Sequence, residues 1–218
     1  VNKTERAQYE YERELDLALE MLEKKSVDID YETKEWYEKT LSFECEILKA
    51  FKLKRILMIG TGPFPISAVS YMEKLGVEVD GVEKDRLACK ISEQVALLYN
   101  RKFLVMHEDA FNLTDFSGYD CIIVGLVVGP TDEEKKMIVK HFLKHAPDDI
   151  LLVFRTAWGK GKKIYPSVEI AGYNEFQDPL NGDFTILVVD RSKPLIPHSP
   201  SDAFWNYLEV HMLKGLSL

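Results

Sequence analysis

A chain of 218 residues, 46% hydrophobic and 29% charged, is long enough for one α/β domain plus an appendage and apolar enough to bury a full core. Its net charge of −8 excludes a broad basic face for phosphate backbones, so no nucleic acid partner is expected. No apolar run approaches the roughly 20 residues that span a bilayer, so no membrane partner is expected either.

In chain order, the first helix is expected from about Thr4 to Lys24, with Leu15, Ala18, Leu19 and Leu22 as its apolar stripe. Glu12 flanks that stripe. After a break at 26–30, Asp30 is placed to cap a second helix from about Tyr31 to Ala50, with Tyr37, Leu41, Leu48 and Phe51 on one face. Glu44 intrudes on this face, two turns from Tyr37. It reads either as a Tyr–Glu pair facing a substrate or as a partly exposed Glu at the edge of a packed helix.

From Arg55 onward strands and helices alternate. Strands are expected at Arg55–Ile59, Val77–Val82, Phe103–Met106, Asp120–Val124 and Asp149–Phe154. The helices between them are expected at Ile66–Leu75, Arg86–Tyr99 and Glu133–His145. Such alternation gives a mostly parallel sheet covered on both faces. A hairpin follows, Tyr173–Gln177 and Phe184–Val189 around the turn Pro179-Leu180-Asn181-Gly182. A terminal antiparallel hairpin on a parallel sheet is the habit of the class I S-adenosylmethionine-dependent methyltransferase-like Rossmann fold. The expected division is an N-terminal helical segment (1–52), a Rossmann-like domain (53–192) and a tail with a short helix (193–218).

The loop Gly60-Thr61-Gly62-Pro63-Phe64-Pro65 joins the first strand to a helix, where an open sheet binds ligands. Glycines there let the backbone approach a ligand, and Glu83 at the end of the next strand is placed for ribose hydroxyls. A pyrophosphate needs bare N–H groups at the helix start, and Pro63 and Pro65 remove two of them. S-adenosylmethionine, a sulfonium without phosphate, loses nothing by this, so it is the expected ligand. Asp109, with Ala110 and Phe111 beside it, reads either as an acceptor for the adenine amino group or as a solvated Asp capping a turn. His141 and His145 have the i, i+4 spacing of metal ligands but no third partner, so a solvated helix face is expected and no metal. Lys160–Lys163 reads as a flexible basic loop. Cys45, Cys89 and Cys121 form neither a disulfide framework nor a zinc pair, and fit a cytoplasmic location.

Four segments resemble the nicotianamine synthase family. "IGTGPFPIS" is similar to its G-x-G-P-L-P-L-(T/S) loop. "VFRTAWGKGKKIYPSV" is similar to its R-(S/T)-x-x-G-x-(R/K)-x-x-(L/I)-Y-x-P segment, through Arg155, Thr156, Gly159 and Tyr165. "YDCIIVGLVVGPTDEEKKMIV" and "WYEKTLSFECEIL" resemble its strand–turn–helix and its Glu-bearing helix, the latter at Tyr37 and Glu44, with Phe43 where Asn is usual. The resemblance implies transfer of the 3-amino-3-carboxypropyl (aminobutyryl) arm of S-adenosylmethionine to a small amine or amino-acid acceptor, releasing methylthioadenosine and making nicotianamine or a related metallophore precursor. It gives the proton-handling roles to Tyr37 and Glu12, support to Glu44, and carboxylate binding to Arg155 or Tyr165. A methyltransferase or a non-catalytic S-adenosylmethionine-binding module on the same fold are the rival readings, and a homodimer through the N-terminal helices is left open.

Overall fold

The computed structural model describes residues 2–169, 174–177 and 184–191. Two helices come first, α1 (Lys3–Lys24) and α2 (Lys34–Leu48). The alternating body follows as β1 (Arg55–Ile59), α3 (Ile66–Lys74), β2 (Glu78–Glu83), α4 (Arg86–Leu98), β3 (Leu104–His107), β4 (Cys121–Val124), α5 (Asp132–His145) and β5 (Leu151–Ala157). The hairpin strands β6 (Asn174–Gln177) and β7 (Phe184–Val189) close the series. Short 3-10 turns occupy Ala110–Asn112 and Gly159–Lys163, so the lysine run is a helical turn rather than an irregular loop.

The seven strands run in the order β3-β2-β1-β4-β5-β7-β6. The first five are parallel and β7 pairs antiparallel with both β5 and β6. This is the methyltransferase-like Rossmann arrangement expected from the sequence. β1 and β4 are central, and apart from half-buried Arg55 every residue of both is buried. That explains their unbroken apolar runs, since strands covered on both faces show no polar alternation. One core joins α2, α3 and β1 through Phe43, Ile47, Ile56 and Tyr71. Another joins β4, β5 and α5 through Ile122, Leu152 and Phe142.

The helix boundaries carry three corrections. α2 starts at Lys34, because Asp30 is not its cap and the N-cap Thr33 instead accepts a hydrogen bond from Arg13. Leu19 faces solvent at 46% exposure, and the inner stripe of α1 is Ala18 and Met21 flanked by Leu15, Leu17 and Leu22. β5 runs on to Ala157, which places Arg155 inside the strand rather than after it. Tyr173, the 179–182 turn and the tail helix expected at Asp202–Lys214 lie outside the described residues. No helix among the described residues is long and apolar enough to cross a membrane.

β1 and β4 are neighbours whose following helices return on opposite faces, so the sheet opens a crevice beyond their carboxyl ends. Over that crevice lie α1 and α2. They are held by a third apolar cluster of Ala18, Met21, Ile29, Phe64, Ile91 and Val95.

Candidate active site

The loop after β1 is shaped by its glycines. Gly60 has φ +73° and a Cβ there would lie 2.1 Å from a Val128 methyl; Gly62 has φ +60° and a Cβ would lie 2.7 Å from Glu14 Oε2. Both conformations disfavour any side chain, and both spaces are already filled. Glu83 accepts the Gly62 and Asp85 N–H groups, each at 3.0 Å, and so ties the loop to the end of β2. A carboxylate has further lone pairs beyond these two, and Glu83 faces the cavity. Thr61 is 4% exposed, lines the same cavity, and its Oγ1 has no hydrogen-bond partner among the described residues.

Pro63 is buried within the loop and Pro65 is the N-cap of α3, with no side-chain cap bond. Phe64, between the two prolines, packs against the N-terminal segment. It is 3% exposed, edge-on to Tyr31 and Tyr37 at centroid distances of 5.7 and 6.1 Å, and anchors the loop to α2.

The cavity has a volume of about 700 Å³, within the range of small-molecule sites. Its floor is the loops after β1 and β4; Glu83, Asp109, Ala110 and Phe111 stand at one side and α1 and α2 form the roof. Asp109 Oδ1 accepts the Phe111 N–H at 2.9 Å, which is the turn-capping arrangement, and the residue also faces the cavity.

The roof differs most from expectation. Tyr37 lines the cavity, but its hydroxyl donates to Glu14 Oε1 at 2.6 Å and not to Glu44. Burial pushes the Glu14 carboxyl up to about 7, while the Tyr37 hydrogen bond pulls it down and the neighbouring Glu10 charge adds to the rise. Burial and the Glu14 charge hold the Tyr37 hydroxyl well above its ordinary value, so it stays a donor. Glu12 is exposed, accepts from Gln8 at 2.8 Å, and does not reach the cavity. The cavity-facing glutamate of α1 lies two residues further on.

Glu44 is fully buried beneath the roof. It takes Arg155 Nε at 3.2 Å and Nη2 at 2.6 Å, and the Tyr71 hydroxyl at 2.8 Å. Arg155 also donates to Tyr71 and, at 2.9 Å, to Ser67. Burial lowers the guanidinium's proton affinity, but the Glu44 charge and the Tyr71 contact more than offset it. Arg155 touches the cavity yet is tied up by Glu44, which corrects its expected role as a free carboxylate clamp. Tyr165 is engaged too, accepting from Arg6 at 2.7 Å and donating to Glu10 at 2.7 Å, which pins α1 over the cavity.

Two functional positions escaped sequence reasoning. Glu14 sits one turn from Glu10 and Ala18 on the inward face of α1, a register that the apolar residues alone do not reveal. Lys135, in the charged first turn of α5, is fully buried and donates to the carbonyls of Gly125, Leu126 and Val128 at 2.5, 3.0 and 3.1 Å. Burial and the Arg155 charge push its ammonium down to about 7. The half-buried glycine before α5, Gly129, which takes a positive φ, was its one visible signal. His141 is 2.9 Å from the Leu113 carbonyl and packs on Phe111 and His145. Among the described residues no group of three His, Cys, Asp or Glu is placed to hold a metal ion.

A family model described as nicotianamine synthase protein matches residues 34–191. Nicotianamine synthase 3 of Arabidopsis thaliana is 22% identical over 162 residues, 68% of this chain and 50% of that protein. The chain thus spans about half the length of that curated relative. A glutamate-to-glutamine mutant of MtNAS superposes with a TM-score of 0.69 at 18% identity, covering 86% of this chain and 73% of that one. The same mutant in complex with S-adenosylmethionine gives 0.62 at 19% identity, covering 86% and 71%.

Proposed function

The chain belongs to the nicotianamine synthase family, and from that premise and the cavity we propose that it transfers the 3-amino-3-carboxypropyl arm of S-adenosylmethionine to an amine acceptor. The product is nicotianamine or a related amino-carboxylate metallophore precursor. The observation that carries this reading is the Glu14–Tyr37 pair set against Gly62, a carboxylate with raised proton affinity facing the ligand loop.

The donor's sulfonium activates three carbons. Attack by the acceptor nitrogen on the methylene of the long arm breaks that C–S bond, returns its electron pair to sulfur, and leaves methylthioadenosine. The chain's residues supply three things. Glu14 takes the proton that the acceptor nitrogen sheds, with a proton affinity matched to near-neutral pH. Tyr37, held protonated, orients Glu14 by donating to one oxygen and leaves the other facing the loop. Glu14 and Glu83 place negative charge on the cavity wall, which suits a cationic donor.

The residues fit the donor on structural grounds. Pro63 and Pro65 strip phosphate-binding donors from the loop, Gly60 and Gly62 let Val128 and Glu14 close on its backbone, and among the described residues Thr61 Oγ1 is an unpartnered polar atom at the wall. Incubating the protein with S-adenosylmethionine and amino-acid acceptors, then identifying the released nucleoside by mass spectrometry, tests the reading. Methylthioadenosine is expected; S-adenosylhomocysteine would assign a methyltransferase instead.

A further inference from the structure

The β4–α5 loop wraps around a buried cation. Lys135 Nζ collects the carbonyls of Gly125, Leu126 and Val128, and its side chain is 0% exposed. Three ammonium protons meet three carbonyls, a complete match for the donor's capacity. The described chain has no cis peptide. In a trans peptide the N–H points opposite the C=O of the same plane. Turning these three carbonyls inward therefore turns the N–H groups of Leu126, Val127 and Gly129 away from Lys135. Among the described residues none of the three has an acceptor, whereas Gly125 N–H bonds to Ile59 and Val128 N–H to Gly125. All three residues line the cavity. Thr61 Oγ1, buried and unpartnered, lies on the adjoining loop, whose Gly60 abuts Val128.

We propose that Lys135 is a positioning residue that turns this loop into a carboxylate-binding rim, with the Leu126, Val127 and Gly129 amides as its donors. Main-chain N–H groups exposed along a concave wall, with their carbonyls held elsewhere, can serve as an anion site. The carboxylate would belong to an amino-acid end, either the donor's or the acceptor's, and in this respect the proposal rests on the reading above. Because Arg155 is committed to Glu44, a main-chain rim is the alternative way to hold such a group.

The test measures binding rather than turnover, by calorimetry on the full chain. S-adenosylhomocysteine carries the amino-acid end and methylthioadenosine lacks it. In Lys135→Met the affinity for S-adenosylhomocysteine should fall about ten- to hundredfold, with methylthioadenosine within about twofold. That result assigns the rim to the donor's carboxylate. If instead both nucleosides are unchanged while L-glutamate, titrated into protein saturated with S-adenosylhomocysteine, binds more weakly, the rim serves the acceptor. Equal losses for both nucleosides, or no change in any ligand, overturn the proposal. Leu126→Pro is the second variant. Val128 N–H bonds back to Gly125 C=O, so Leu126 is the first central residue of a turn, where proline is favoured. It deletes one rim N–H with Lys135 intact, and should show the same nucleoside split even if Lys135→Met fails to fold. A wild-type protein that binds neither nucleoside would sink the functional reading itself, a separate outcome.

Discussion

Burial holds the Glu14 carboxyl up at about 7, and this one residue links activity to stability in opposite directions. In the proposed role of base it works only when ionised, so kcat/KM should rise with pH up to about 7 and level off above it. Glu14→Gln should erase that limb and lower kcat by about 10²–10⁴; a limb that persists in the variant removes Glu14 from the mechanism. The stability sign is the reverse. A group whose folded pKa lies above its unfolded value contributes stability below the unfolded pKa, and loses it as pH rises through the folded one. The ionised, desolvated carboxylate is therefore a cost at pH 8. Glu14→Gln should be more stable than wild type there by about 1–3 kcal/mol in urea unfolding, with the difference vanishing near pH 4.

The element that carries Glu14 shows why the body of the fold was legible and the roof was not. Apart from Arg55, β1 and β4 are apolar throughout, and their alternation with helices fixes the sheet's class without knowledge of partners. α1 has a single inward face running through Glu10, Glu14, Ala18 and Met21 at helical spacing. Its first half meets a polar cavity and its second half meets the Ile91–Val95 surface of α4, so only the second half looks amphipathic in sequence. A search for an apolar stripe therefore slid to Leu15 and Leu19, and the nearest flanking glutamate became Glu12. The anchoring role of Phe64 was hidden for a related reason. Its neighbours Tyr31 and Tyr37 come from the N-terminal segment and are invisible in a local window. Phe64→Ala should cost about 3–5 kcal/mol. Hydrogen exchange should rise chiefly in α1 and α2, with β1 and β4 still protected; uniform loss across the sheet would show that Phe64 anchors no particular element.

Across the whole molecule, the partners that matter most are distant in sequence. Glu44 and Arg155 stand 111 positions apart, and with Tyr71 and Ser67 they join α2, α3 and β5 at the cavity's edge beneath the roof. The sequence marks each as unusual in its own element, but no spacing rule connects them. A buried ion pair is weak evidence for net stability, since desolvating two charges opposes their attraction. Removing one partner is another matter, because the survivor keeps its charge in the interior. Arg155→Met should lose about 3–5 kcal/mol in urea unfolding, and Glu44→Leu a comparable amount. The double variant should recover most of that loss, since neither charge is then stranded. Additive losses would mean that the two residues act through separate neighbours. Recovery of stability without recovery of activity would place the pair's purpose in the cavity. There, Arg155 lines the wall and Glu44 holds its guanidinium in one orientation.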